Sequence, residues 1–210
     1  MNLSIGAWGW KHPEWEKDVF YPDDLPADWQ LSYYSNEFDL VAVPASYWST
    51  EGYGDEEWLD DVDDDFVFYI EWPFLQLTDF DDYKKCAQFC DSLGEQLAAV
   101  LVNEQNFSHL SPDQHQWFNE VTQIFNVQQF GVCSPQGQLG CVADDLQKSE
   151  LLKSSDLLLL HSDSSENLRD LSKRLTALLA VTESQYIIVA NESPEIERVK
   201  ELATLVELLA

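Results

Sequence analysis

Positive charge is scarce in this sequence. Lys and Arg total 11 among 210 residues, against 39 Asp and Glu, so the formal net charge is −28 at pH 7. Nucleic-acid binding depends mainly on cationic side chains that neutralise phosphates, so we expect no nucleic-acid partner. So much negative charge is typical of a solvated surface, and it would also suit a basic protein partner.

Long apolar runs are absent as well. No run approaches the roughly 20 apolar residues that span a bilayer, so we expect no contact with a membrane. The N-terminus has no basic region followed by an apolar core, which argues against a signal peptide. Together these absences predict a cytoplasmic protein.

Cysteine spacing gives no sign of a metal cluster or a disulfide framework. The four cysteines are Cys86, Cys90, Cys133 and Cys141, and none belongs to a CxxC pair. Cys86 and Cys90 lie four residues apart in a predicted helix, on one face. We therefore expect buried, reduced thiols rather than a zinc site.

What the sequence does contain is an alternation of apolar strand-like segments with segments of helical periodicity. Hydrophobic residues make up 45% of the chain, enough for a sizeable core. Helices are predicted over 78–96, over 164–182, and after the starts Ser111-Pro112 and Ser193-Pro194. The predicted strands are residues 3–7, 40–43, 66–72, 97–103, 129–133, 139–143, 156–161 and 186–190.

Strands that alternate with helices predict a parallel sheet, and we expect an α/β, TIM-barrel-like (β/α) barrel in a single domain over residues 1–210. Such barrels usually take about 250 residues and at least about 200, so this one should be compressed or incomplete. Only residues 134–138 separate two predicted strands, whereas parallel neighbours need a crossover of about a dozen residues. The two strands form a hairpin, or one is not a strand, or a crossover helix is missing around 134–138. An open doubly wound sheet has less support, because no Gly-rich phosphate loop follows the first strand.

The first fifty residues carry a distinctive series of aromatic, glycine and proline residues. IGAWGWKHPEW, VFYP, LSYYSNEF and ASYW follow one another in that order. The series resembles the opening of the domain of unknown function 72 family, the YecE-like proteins, whose members begin with Ile-Gly-Thr-Ser-Gly-Trp and continue with Tyr-Pro-x-Trp and Phe-Tyr-Pro. Weaker similarity continues in LGEQLAAVLVN, LLLLHS and IIVANES, where the family has its fourth, seventh and eighth strands. The resemblance implies a fold similar to TIM barrels and an activity that is not established.

Several polar residues of the family's pattern are missing here. The family's Val-Glu-x-Asn-x-Thr-Phe-Tyr corresponds to VAVPASYW at 41–48, without the carboxylate and the amide, and its Glu-x-Arg-His corresponds to GVCS at 131–134. Leu159 stands in place of an arginine, although His161 remains. If those polar residues form the family's site, the resemblance implies a degenerate, non-catalytic member that acts by binding or self-association.

Polar side chains nevertheless follow several predicted strands, at the barrel end where active sites are built. The catalytic candidates are His161, Glu71 and Asn191. A site for Mg or Mn, which favour oxygen ligands, could be formed by Glu71, Asp144, His161 and Glu192. Carboxylates are also expected at helix starts in so acidic a chain. His161 is better explained as a structural histidine than as a general base.

Aromatic side chains form a further candidate feature at the same end. An apolar pocket for a flat or sugar-like ligand would be lined by Trp8, Trp10, Tyr47, Trp48 and Trp72. The same rings could equally close the barrel end as part of the core. The alternative function is therefore a small-molecule enzyme or binding protein, with or without a divalent metal, that uses an aromatic, carboxylate-lined pocket.

Overall fold

The structure is a computed structural model, and it describes residues 3–49, 52–53, 56–130, 156–162, 165–180, 185–191 and 193–209. The strands in these ranges are β1 Ser4–Trp8, β2 Leu40–Val43, β3 Val67–Glu71, β4 Leu97–Asn103, β5 Val127–Phe130, β6 Leu157–Leu160 and β7 Tyr186–Val189. The helices are α1 Gln30–Ser35, α2 Phe80–Ser92, α3 Glu104–Ser108, α4 Pro112–Val121, α5 Leu168–Leu179 and α6 Ile196–Leu209.

The strands form one sheet in the order β5-β4-β3-β2-β1-β7-β6. The pairs β1–β7, β6–β7, β3–β4 and β4–β5 are parallel. The prediction of an α/β, TIM-barrel-like fold that is incomplete is confirmed. The strand predicted at 139–143 and the crossover helix predicted to be missing around 134–138 lie outside the described residues.

The chain divides into two compact units. Unit 1 comprises Met1–Val41 and Val132–Ala210, and unit 2 comprises Ala42–Gly131. Unit 1 contains the pairings of β7 with β1 and β6, and unit 2 contains those of β4 with β3 and β5. That residues 1–210 form a single domain stays a prediction.

In unit 1, a buried tyrosine satisfies backbone groups near the start of the chain. The Tyr34 hydroxyl accepts a hydrogen bond from the Ala7 N–H at 2.8 Å and donates one to the Leu40 carbonyl at 2.9 Å. A Cβ atom added to Gly6 would overlap the Leu40 carbonyl oxygen, so glycine permits this close approach. The glycine and the tyrosine of the opening segment thus have structural roles.

The aromatic residues that follow β1 form the core of unit 1. The Trp15 ring stacks on Tyr34 with centroids 6.2 Å apart, and its Nε1–H donates to the Pro194 carbonyl at 2.7 Å. The Tyr21 hydroxyl donates to the Trp10 carbonyl at 2.7 Å. Because these bonds join distant parts of the sequence, the aromatic segment fixes the start of the chain against the loop before α6.

In unit 2, helix starts and cysteine positions follow the sequence expectations. Asp79 caps α2, and Ser111 caps α4 with the reciprocal bond from Gln114 that defines a capping box. Cys86 and Cys90 are buried and free, as predicted. Helix α2 ends at Ser92, earlier than predicted, and is followed by Gly94 with a positive φ of 55°. This left-handed conformation suits a helix end and excludes continuation of the helix.

Candidate functional site

The predicted site residues fall into two groups, one in each unit, and each group is described by itself. Asp144 and Glu192 lie outside the described residues. Unit 1 contains Trp8, Trp10, His161 and Asn191, and unit 2 contains Tyr47, Trp48, Glu71 and Trp72.

His161 and Asn191 follow neighbouring parallel strands. Leu160 pairs with Val189, so the two residues lie at the C-terminal ends of β6 and β7. The Asn191 Oδ1 atom accepts a hydrogen bond from the Ser162 N–H at 3.1 Å. The two strand ends are thus joined by a hydrogen bond. The Asn191 amide oxygen is used in that bond with the Ser162 backbone.

Two arginines hold the segment that follows β6. Arg174 Nη2 donates to the His161 carbonyl at 2.7 Å and to Glu166 Oε2 at 2.8 Å. The Ser162 hydroxyl donates to the same Glu166 oxygen at 3.2 Å, and Arg198 Nη2 donates to the Glu166 carbonyl at 2.7 Å. Two of the chain's few cationic side chains, Arg174 and Arg198, thus have structural roles. The sequence analysis missed this network, although arginines in an otherwise acidic chain were a signal for it.

His12, which also lies in unit 1, is a buried imidazole. Its Nε2 atom lies 3.1 Å from the Trp8 carbonyl oxygen, and its ring packs against Trp15 with centroids 4.4 Å apart. Since a carbonyl can only accept, Nε2 carries the proton in this contact. Burial lowers the pKa of His12, although hydrogen bonds to backbone groups oppose the shift. The residue is a neutral structural histidine at neutral pH.

Four of the five aromatic residues predicted to line a pocket are buried. The exposed fraction is 4% for Trp8, 1% for Trp10, 6% for Trp48 and 1% for Trp72, whereas Tyr47 is half-buried. Within unit 2, Trp48 packs on Tyr53, and Trp72 packs on Phe118 and Tyr83. These contacts are typical of core residues, and a ligand pocket formed by the five rings stays a prediction.

Glu71 ends β3 and is buried in unit 2 with an exposed fraction of 9%. Its Oε2 atom accepts a hydrogen bond from the Ala45 N–H at 2.8 Å, and its carbonyl accepts one from the Tyr53 hydroxyl at 3.0 Å. No hydrogen bond from the described residues reaches the other carboxyl oxygen, Oε1. One oxygen is therefore fixed by the backbone, and the other has no protein donor among these residues.

Burial dominates the electrostatics of Glu71. Removal from water raises the pKa of its carboxyl group, and the hydrogen bond from the Ala45 N–H only partly opposes this shift. Within the described part of the chain, no charged side chain contributes to the shift. Burial also raises the pKa of the nearby Tyr53 hydroxyl well above its usual range. Glu71 is therefore a buried acid without a counter-ion in the described part of unit 2.

The described residues contain no group of three or more His, Cys, Asp and Glu side chains that could hold a metal ion. Two members of the predicted metal set, Asp144 and Glu192, lie outside those residues. A site for Mg or Mn that involves Glu71 and His161 therefore stays a prediction.

None of the helices in the described ranges is long and apolar enough to cross a membrane.

Comparison with known proteins identifies relatives of the whole fold. The family described as "Protein of unknown function DUF72" matches residues 4–116. The crystal structure of a DUF72 family protein from Thermotoga maritima has 14% identity and a TM-score of 0.59, with coverage of 100% of this chain and 99% of that one. A DUF72 family protein from Enterococcus faecalis has 11% identity and a TM-score of 0.60, with coverage of 98% and 95%. These likenesses show the fold, and no curated protein matches the chain.

The raised pKa of Glu71 predicts a specific dependence of stability on pH. Below the ordinary value of 4.5 the side chain is neutral in both the folded and the unfolded state. As the pH rises through the folded pKa, the folded state must lose a proton that it holds more tightly than the unfolded chain, so stability falls. Glu71→Gln cannot ionise, and its amide oxygen can still accept from the Ala45 N–H. We expect this variant to become more stable than the wild type as the pH rises.

Urea unfolding between about pH 5 and about pH 8 measures this difference. The matched control is Glu95→Gln, an exposed glutamate of the same unit, for which we expect no comparable change with pH. A stability difference between Glu71→Gln and the wild type that stays constant over this range would contradict the assignment of Glu71 as a buried acid.

Proposed function

The chain belongs to the DUF72 family, whose function is unknown, and we propose that it is a degenerate, non-catalytic member that binds a basic protein partner. The observation that carries this proposal is a segment of unit 1 that contains exposed carboxylates and an exposed tryptophan. Its attraction for cationic groups follows from general electrostatics and does not depend on any relative's activity.

This acidic segment comprises residues 14–39. It contains one cation, Lys17, and Trp29 is 63% exposed directly after Asp28. All eight carboxylates of the segment are exposed: Glu14, Glu16, Asp18, Asp23, Asp24, Asp28, Glu37 and Asp39. An exposed aromatic ring among carboxylates is chemically suited to lysine and arginine side chains.

Two physical effects favour a basic partner on this segment. Carboxylates of one sign steer an oppositely charged partner over long distances. The face of an exposed tryptophan then attracts an ammonium or guanidinium group, a contact worth roughly 0.5–1 kcal/mol at exposed sites. Self-association is the weaker form of the proposal, because two copies that each carry a charge of −28 repel each other.

The polar groups at the ends of β6 and β7 support the non-catalytic part of the proposal. Asn191 and Glu166 accept hydrogen bonds from Ser162, and Arg174 binds the His161 carbonyl and Glu166. A catalytic group must be able to reach a substrate, whereas the Asn191 amide oxygen and the Glu166 carboxylate are bonded to the protein itself. The substitutions relative to the family's pattern point in the same direction.

A binding titration with a lysine- and arginine-rich peptide tests the proposal. The variant Asp23→Asn, Asp24→Asn, Asp28→Asn removes three carboxylates around Trp29. We expect about tenfold weaker binding, since each exposed ion pair contributes up to about 1 kcal/mol. The control Asp63→Asn, Asp64→Asn, Asp65→Asn removes the same charge from exposed positions in unit 2. Equal losses in the two variants would contradict a specific site on the acidic segment.

The second candidate function is a small-molecule enzyme or binding protein, with or without Mg or Mn. The observation that favours it is Glu71, a buried carboxyl group at the end of β3 whose Oε1 atom receives no hydrogen bond from the described residues. In barrel enzymes, residues at the C-terminal ends of strands are the ones that carry the chemistry. Ionisable groups whose pKa is shifted by burial are also concentrated at functional sites.

Thermal unfolding with Mn²⁺ or Mg²⁺ at constant ionic strength tests whether a divalent metal binds at the strand ends, which only the second candidate function allows. A metal site at the strand ends would raise the melting temperature by mass action in the wild type. That increase would disappear in the variant Glu71→Gln, His161→Ala. The non-catalytic proposal predicts equal shifts in both proteins, caused by diffuse screening of the acidic surface, or no shift in either. An increase confined to the wild type would contradict it.

A further inference from the structure

Glu71 differs from the other candidate polar groups in what surrounds it. At the ends of β6 and β7, Asn191 and Glu166 receive donors from the protein. Glu71 receives one donor, the Ala45 N–H, on Oε2, and no described residue donates to Oε1. Its position in register with Leu101 of β4 places it at the C-terminal end of the strand pair, where parallel barrels bind ligands.

We propose that Glu71 anchors a binding site for a small alkylammonium ion, a primary amine in its protonated form. An ionised carboxylate that is buried without a partner is strongly disfavoured, and a cation at Oε1 would compensate it. The described residues of unit 2 supply no such cation to Glu71. Among the described residues of unit 2 there is thus neither a positive charge nor a second hydrogen-bond donor for Glu71, and an ammonium group would supply both.

The choice of a cation over an anion or a neutral molecule rests on the charge of the chain. With a formal net charge of −28, the protein repels anions and raises the local concentration of small cations. A neutral hydroxyl or carbonyl group could bond to a protonated Glu71, but it would gain nothing from this field. An ammonium ion gains from the field and from direct pairing with the carboxylate.

The aromatic residues around Glu71 fit the same ligand. The Ala45 N–H bond fixes the turn Ala45–Tyr47, which continues into Trp48. Trp48 packs on Tyr53 with centroids 5.0 Å apart, and the Tyr53 hydroxyl binds the Glu71 carbonyl. Aromatic faces attract ammonium groups and also cover short alkyl chains. The half-buried Tyr47 is the most accessible ring of this set.

The described titratable groups around Glu71 add no competing charge. Tyr53 and Cys86 contact each other, and burial raises the pKa of both well above its usual range, so both are neutral at neutral pH. Cys90, which interacts with Cys86, and Tyr69, two residues before Glu71 on the same face of β3, carry no positive charge. Binding of a cation therefore favours ionisation of Glu71 itself. Affinity should increase with pH, and proton release should accompany binding wherever free Glu71 is protonated.

This inference does not depend on the acidic segment, and the two can be tested separately. Calorimetric titration with n-butylammonium chloride, balanced against NaCl at equal ionic strength, measures binding and proton release in buffers of different ionisation enthalpy. The proteins compared are the wild type, Glu71→Gln, Glu95→Gln and the triple variant Asp23→Asn, Asp24→Asn, Asp28→Asn. The neutral probe is n-butanol.

We expect the wild type, Glu95→Gln and the triple variant to bind n-butylammonium equally, with proton release that diminishes as the pH rises. Glu71→Gln should bind about tenfold or more weakly, because one partner of a largely buried charge pair has been removed. Absence of binding by the wild type, or equal binding by Glu71→Gln, would overturn the proposal. Equal binding of n-butanol would also overturn it, because the site would then be selective for neutral molecules.

Discussion

The structure of the candidate site in unit 2 depends on a buried carboxyl group to which one donor of the described residues, the Ala45 N–H, is bonded. The hydrogen bond between Glu71 and the Ala45 N–H fixes the loop after β2 against the end of β3. Because burial opposes ionisation, this loop is held by a group whose charge depends on its surroundings. The positions of Trp48 and Tyr53 follow from the same contact, since Tyr53 binds the Glu71 backbone.

In unit 1, by contrast, polar groups at the ends of the strands are bonded to other groups of the protein. Arg174 and Arg198 bind the segment after β6, and Ser162 and Asn191 join it to the end of β7. The Asn191 amide oxygen and the Glu166 carboxylate therefore contribute to the fold. The partner surface that we propose for unit 1 is therefore the segment of residues 14–39, with its exposed carboxylates and Trp29.

Periodicity predicted most of the fold, because parallel strands and their helices are visible locally in the sequence. Six strands lie where apolar runs were found, β5 begins at Val127, two residues before the run predicted at 129–133, Ser111 caps its helix as expected, and Glu71 ends its strand. The arginine network was not predictable in the same way, because its bonds join residues up to 32 positions apart. Nor could hydrophobicity distinguish a tryptophan of the core, such as Trp10, from one that lines a pocket. Nor did the residues around Trp29 in the sequence indicate that its ring is exposed, whereas Trp10 and Trp15 are buried.

The measurement that tests this account most directly is a titration of the Glu71 carboxyl carbon by NMR, with Glu71→Gln used to assign the signal. We expect a midpoint above the ordinary value of 4.5, because burial opposes ionisation and no described residue supplies a counter-ion. We also expect n-butylammonium to lower this midpoint, because the cation stabilises the carboxylate. A midpoint at or below 4.5 would show that Glu71 is solvated or already paired. That result would remove the basis for a ligand site at the end of β3.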